Sequence, residues 1–436
     1  MIGSSVVLVV WSVLMHIAII TAGGAGMFCG SCMLDNTLAR ALQAAGTEVT
    51  LIPTYTPTRT DEENASLSRV FFGGINVYLD SKLGFWKKLP FGLVRWLNNP
   101  RLISLATKLS VSNDAKELGE MTVQMLDGPV GPQRREVREL VRFLADDLKP
   151  DVVLFSNALL SGVMPALREK FTGKTFCLLQ GDDIFLDDLV EPWASQALDR
   201  IKSHSQLFDG MIVHSDFYRD RMRGYVDLTT DRFHTIAPGI DLNGHDGSPR
   251  DANEPFTVGY FARVCPEKGY DKAIEGFRLF HQRHPNSRLI AAGYLGKRDE
   301  KFFKRTAKAA RDLGDAFEYC GSPAERSAKI EFLKRLDVLT VPTVYEEPKG
   351  LYVLEAIANG VPVVQPRHGA FPELIQRTGG GLLFDPGDPE SMADRLEELF
   401  LNAEHRRQLA DAGHQRVHAT CGADAMAKEL LAILSR

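Results

Sequence analysis

Short apolar runs alternate with longer amphipathic stretches along most of the chain. Residues 16–21, 48–53, 152–155, 175–179, 210–213 and 233–236 are runs rich in Val, Ile, Leu and Phe. Between them, apolar positions recur at helical spacing over 35–45, 133–147, 159–170, 193–207 and 216–224. Unbroken apolar runs suit strands buried on both faces. Strand, helix, strand in succession predicts a parallel sheet, because parallel neighbours need a crossover. Residues 54–80 read as loop with short strands at 70–72 and 75–78.

The alternation restarts after a run of turn-formers and charges at 243–255. Strands are predicted at 256–261, 288–291, 316–319, 338–341, 361–365 and 381–384, with helices over 270–284, 299–313 and 324–335. A further helix opens at Lys349-Gly350 and closes at Asn359-Gly360, and three more lead to the end. The predicted fold class is α/β, with two Rossmann-like doubly wound domains facing across a cleft. The boundaries follow: an apolar extension at 1–14, a first domain at 15–242, a linker at 243–255, a second domain at 256–420, and a C-terminal helix at 421–436 that packs back on the first domain.

Composition adds exclusions. A chain of 436 residues exceeds one ordinary core. A net charge of -5 is no nucleic-acid footprint, and 6 cysteines make no disulfide framework in a chain this long. A reducing cytoplasm is the expected compartment. Residues 1–14 carry no charged side chain, and Met15 is the natural start of the domain; a signal-like or anchoring segment is the alternative. Residues 82–110 hold Lys82, Lys87, Lys88, Arg95, Arg101 and Lys108, with Trp86, Phe91 and Trp96 among them and no acidic residue. Such a segment suits peripheral contact with an anionic inner-membrane surface, the holding of an anionic or sugar acceptor, or amphipathic helices on the domain rim.

Candidate chemistry sits at strand ends. Gly23, Gly24 and Gly26 follow the first strand, where glycine lets backbone approach a ligand, or merely packs a tight turn. Cys29 and Cys32 have redox-dithiol spacing, and equally are small residues lining a crowded loop. Residues 180–188 read as an acidic loop carrying Gln180, Asp182 and Asp183. Residues 341–369 form a strand–loop–helix–strand unit with Glu346 and Glu347 in the loop and Glu355 one turn into the helix. Helix-start N–H groups suit phosphate, and carboxylates accept from hydroxyls. The pairing suggests a sugar nucleotide.

These residues resemble glycosyltransferase family 4, retaining enzymes of the GT-B fold (glycosyl transferases group 1), over nearly all of 15–436. Glu347 and Glu355, seven residues between them, look like the family's paired glutamates. Arg263 and Lys268 look like its diphosphate clamp, and Gly239-Ile240-Asp241 is similar to its element before the linker. The resemblance implies a metal-independent hexosyltransferase with no cofactor. A UDP-, GDP- or ADP-sugar would be the donor and a hydroxyl group of a glycan, lipid or small molecule the acceptor. It implies catalytic roles for Glu347, Arg263 and Lys268. Donor binding would fall to Glu355, Gly350, Leu351, Gly23 and Gly24. Retention would have the departing phosphate help deprotonate the incoming hydroxyl. Lys349 stands where the family often has Phe, and Gln180 where many members have His, so Gln180, Asp182 and Lys349 are candidates for donor-sugar or acceptor contact. The competing classes are a nucleotide-sugar epimerase and a sugar-nucleotide-binding or redox-responsive protein without transferase activity.

Overall fold

The computed structural model describes residues 15–23, 30–72, 115–247 and 255–436. Gly24, Cys29, the extension at 1–14 and the basic aromatic segment at 82–110 lie outside them. The chain divides into two compact units, one running to Ala237 and taking in Asp424–Arg436, the other spanning Pro238–Ala423.

The first unit is a parallel sheet of strands β1 (His16–Thr21), β2 (Glu48–Pro53), β3 (Val152–Phe155), β4 (Lys174–Leu178), β5 (Gly210–Val213) and β6 (Phe233–Thr235) in the order β2-β1-β3-β4-β5-β6. The central strands are apolar on both faces because helices cover both: Ile17, Ile19, Ile20, Val153 and Phe155 are fully buried. The closing helix Ala423–Leu434 belongs here: Glu429 accepts from the Ala237 N–H at 2.8 Å and Lys174 Nζ donates to the Leu434 carbonyl at 3.1 Å.

The second unit carries β7 (Phe256–Phe261), β8 (Ser287–Ala292), β9 (Phe317–Tyr319), β10 (Val338–Leu339), β11 (Val363–Pro366) and β12 (Gly381–Phe384), all parallel, in the order β12-β11-β10-β7-β8-β9. Counted from β7, the first three strands run one way and the next three the other. The order therefore reverses between β7 and β10, and the loops leaving those two strands diverge to open a crevice at their carboxyl ends. Among the described residues no helix is long and apolar enough to cross a membrane.

The elements differ from the sequence expectation in places. The helices Ala115–Leu126 and Phe371–Thr378 both fall in stretches given no element, the second with Pro372 in its first turn. Proline at the start of a helix gives up no hydrogen bond. Residues 180–188 are a correction: Asp182–Asp187 is a short helix, not an acidic loop. Asp182 and Asp183 occupy its first turn, where negative charge is favoured, and Leu186 anchors it in the core. Tyr218, 1% exposed, caps it. Its hydroxyl accepts from the N–H groups of Gly181 (2.7 Å) and Asp182 (2.9 Å) and donates to Asp183 Oδ1 (2.8 Å).

Tyr218→Phe strips three buried polar groups of one partner. Each such loss costs on the order of 1–3 kcal/mol, so urea unfolding should show stability reduced by about 3 kcal/mol, and a change under about 0.5 kcal/mol would mean that water replaces the hydroxyl.

Candidate functional site

The loop leaving β7 carries Arg263 and Lys268, and the loop leaving β10 carries Tyr345, Glu346 and Glu347. Three glycines fix the backbone here. Gly269 (φ +67°) caps the helix Tyr270–Arg283, and a Cβ on it would collide with the Pro342 carbonyl. Gly350 (φ +61°) caps Leu351–Ala358. Gly369 (φ +60°) passes so close to the Glu347 backbone that a Cβ would sit 2.5 Å from its nitrogen. Left-handed geometry costs glycine nothing, and it has no side chain to clash. The Ala370 N–H then donates to the Glu347 carbonyl at 2.7 Å, tying the loop after β11 to the loop after β10.

Glu347 is the centre of the crevice. It is 4% exposed. Its Oε2 accepts from Lys268 Nζ at 2.6 Å, from the Tyr345 hydroxyl at 3.0 Å and from the Tyr352 hydroxyl at 3.1 Å. Its Oε1 accepts from the Gly350 N–H at 3.3 Å, its only hydrogen bond among the described residues. The Lys268 ammonium also lies 4.9 Å from the Tyr345 ring centre and 5.0 Å from that of Tyr352, an attractive placement over aromatic faces. Burial alone would lift the Glu347 carboxyl. The Lys268 charge and hydrogen bond, with the Gly350 and Tyr345 donors, outweigh it and hold the group at about 2. Glu346 is exposed, so of the two adjacent carboxylates it is Glu347 that meets the loop from β7.

Arg263 is exposed, and its guanidinium has no hydrogen bond or ion pair among the described residues. Its carbonyl is held by the Tyr260 hydroxyl at 2.7 Å. Leu351 opens the helix that Gly350 caps, leaving first-turn N–H groups without intrahelical partners at the same crevice. Lys349 is buried, 6% exposed, directly before that cap. Glu355, one turn on, is paired: its Oε1 accepts from Lys329 Nζ at 2.7 Å. Its Oε2 makes no hydrogen bond among the described residues. Lys329 lies in the helix Arg326–Lys334, where its spacing reads as a solvated face, and nothing in the sequence signals its burial.

The candidates of the first unit are placed differently. Gly23 (φ +85°) is packed against Thr56, where a Cβ would collide with the carbonyl. Gln180 Nε2 donates to Asp35 Oδ1 at 2.8 Å and to the Ser156 carbonyl at 3.2 Å. Asp182 is 4% exposed, and its two oxygens accept from the N–H groups of Ala158 (2.5 Å) and Gln180 (2.8 Å). Burial raises its carboxyl to about 6 against those two donors. The described contacts of Gln180 and Asp182 thus tie strand ends together inside their own unit. Cys32 is buried in the helix Gly30–Ala44.

A doubly wound unit with two cations, a helix start and one buried and one half-buried carboxylate at its switch point can seat an anion beside hydroxyl groups. Comparison with known proteins is in keeping with this. Residues 246–416 match the model of the family "Glycosyl transferases group 1". D-inositol 3-phosphate glycosyltransferase of Corynebacterium jeikeium is 31% identical over 221 residues, 47% of this chain and 52% of the relative. Mannosylfructose-phosphate synthase of Agrobacterium fabrum is 25% identical over 221 residues, 48% of each. The matches thus span about half the length of these curated relatives. Among solved structures, HepE of Anabaena in complex with UDP superimposes with a TM-score of 0.68 at 16% identity, over 97% of this chain and 100% of that one. Sucrose-phosphate synthase of Thermosynechococcus elongatus gives 0.70 at 19% identity, over 97% and 98%. The fold is the two-domain GT-B fold, as the sequence resemblance implied.

Glu347→Gln should leave the Lys268 ammonium buried without its counter-charge. Breaking such a pair costs roughly 3–5 kcal/mol, so the urea midpoint should fall clearly at pH 7. The pH dependence has a definite sign. A carboxyl held at about 2, against an ordinary 4.5, contributes stability that is present above 4.5 and lost as pH falls towards 2. The variant should therefore lose less stability than wild type across that window. Equal slopes in the two proteins would show that the pair is not formed.

Proposed function

We propose that the protein is a retaining glycosyltransferase that moves a sugar from a nucleotide-diphosphate donor to a hydroxyl acceptor. The observation that carries this is the meeting of Lys268 with Glu347 at the switch point, beside an exposed Arg263 and the start of the helix Leu351–Ala358. Cleaving a sugar nucleotide leaves negative charge on the departing diphosphate. Arg263, Lys268 and the N–H groups at Gly350 and Leu351 would stabilise it as it forms, work that requires no metal ion. Lys349 would add a buried cation beside them. Glu355 Oε2 would accept from the ribose, and Glu347 from a hydroxyl of the donor sugar.

Uridine is the base favoured, because structural neighbours at full coverage were solved with UDP and with UDP-glucose. Retention would come from attack on the face the diphosphate leaves: the incoming hydroxyl enters beside the departing phosphate, which takes its proton, so no protein nucleophile is required. The combination of clamp and paired glutamates also favours transfer over simple nucleotide-sugar binding.

UDP-glucose at about a hundred times its dissociation constant should stabilise the protein by about 2.7 kcal/mol, readable as a rise in Tm. Arg263→Ala should lose most of that rise, and Cys29→Ser should keep all of it. Transfer should survive EDTA, and proton NMR of the product should show the donor's anomeric configuration. A rise in Tm that Arg263→Ala leaves intact would contradict the proposed clamp, and inverted product would contradict the mechanism.

A further inference from the structure

Two tyrosines that sequence reasoning did not single out complete the Glu347 site. We propose that Tyr345 and Tyr352 are positioning residues for the donor sugar: their hydroxyls keep Glu347 Oε2 fixed and charged when the diphosphate draws Lys268 away, so that Oε1 stays presented to a hydroxyl of that sugar. This rests on the donor-site reading above.

A carboxylate oxygen offers about two acceptor sites. Oε2 already has three donors, within 2.6–3.1 Å, and is saturated. Oε1 has a single N–H at 3.3 Å and keeps room for one more donor. The free acceptor is therefore a particular oxygen, and the two phenol groups, one from its own loop and one from the next helix, hold the carboxylate so that this oxygen is the one presented.

Lys268 cannot serve both anions equally. A diphosphate carries more charge than one carboxylate and accepts more hydrogen bonds, so the ammonium moves towards it when the donor arrives. Glu347 would then be a buried charge with its cation withdrawn, a costly state unless hydrogen bonds replace the ion pair. The Tyr345 and Tyr352 hydroxyls do that without moving. The other titratable groups around this carboxylate include Glu346 beside it, the buried Lys349 two residues on and His368 from the loop after β11, while Arg263 and Cys265 from the loop after β7 act on Tyr345. His368 is pulled below its ordinary value by burial and donates from Nε2 to the Thr343 carbonyl at 3.0 Å, so it offers Glu347 no counter-charge at neutral pH. Arg263 would be occupied by the same diphosphate. The tyrosines on Oε2, with the Gly350 N–H on Oε1, are thus donors that stay in place.

The test uses Tyr345→Phe, Tyr352→Phe and the double variant of the whole chain. In the ligand-free protein, the carbon-13 signal of the Glu347 carboxyl, identified by its loss in Glu347→Gln, should titrate at higher pH in each variant and highest in the double. With UDP-glucose and water as acceptor, UDP release should show kcat reduced about tenfold in the double variant, KM for the donor within about twofold, and the acid limb of kcat moved up by about one pH unit. The single variants carry the same readouts should the double unfold. An unmoved carboxyl titration overturns the proposal, as does a loss confined to KM or an acid limb that stays in place. If wild-type protein neither binds nor cleaves UDP-glucose or another nucleotide-sugar, the functional reading fails and the tyrosines' role in transfer falls with it. A shifted Glu347 titration in that case would show that the hydrogen-bonded cradle itself had been read correctly.

Discussion

A buried carboxylate must be given a cation and hydrogen bonds or be lost as a charge, and Glu347 imposes that condition on the whole crevice of the second unit. Meeting it draws in four segments: the loop from β7 for Lys268, the loop from β10 for Tyr345, the start of Leu351–Ala358 for Gly350 and Tyr352, and the turn at Gly369 that closes over the Glu347 backbone. The glycines at 269, 350 and 369 all have positive φ, and at 269 and 369 a Cβ would also collide with neighbouring backbone. The geometry is thus over-determined, and a carboxylate so held reorganises little when charge develops beside it.

The same economy appears at Glu355. There a second lysine, Lys329, holds one oxygen and leaves the other open. Each carboxylate has one oxygen restrained by a buried or half-buried cation and one available to a hydroxyl. Arg263, by contrast, is exposed with no anion of its own among the described residues, the condition expected of a group whose partner is a ligand. On the proposed function, two ion pairs and one unpaired cation would divide the work between orienting hydroxyls and receiving phosphate.

Much of this was legible in the sequence, for definite reasons. The strands of both units are apolar runs because they are buried on both faces, and 152–155, 210–213, 256–261 and 381–384 fall where the pattern put them. Glu347 and Glu355 stood out as carboxylates in a strand-end loop and one turn into the helix that follows, and Arg263 and Lys268 through their resemblance to the family's clamp. The cradle did not. Tyr352 follows Leu351 in an apolar stretch and looks like core, and Lys329 looks like a surface lysine, so only tertiary contact reveals either. The acidic stretch at 182–187 misled for a related reason. Its charge suggested a loop, whereas Tyr218, over thirty residues away in the chain, supplies the cap that makes it a helix. Gln180 and Asp182 likewise have partners that spacing does not disclose: Asp35 lies on another helix, and the Ala158 N–H beyond another strand.

Among the described residues, the first unit ties its strand ends through Gln180 and Asp182, and Lys268, Glu347 and the start of Leu351–Ala358 meet at the switch point of the second. The most direct check is a crystal structure of the protein with UDP bound. The diphosphate is expected against Arg263 and the start of Leu351–Ala358, with Lys268 Nζ drawn from Glu347 towards it while both tyrosine hydroxyls remain on Oε2. A diphosphate bound away from these groups, or bound among them with Tyr345 and Tyr352 swung off Glu347, would contradict it.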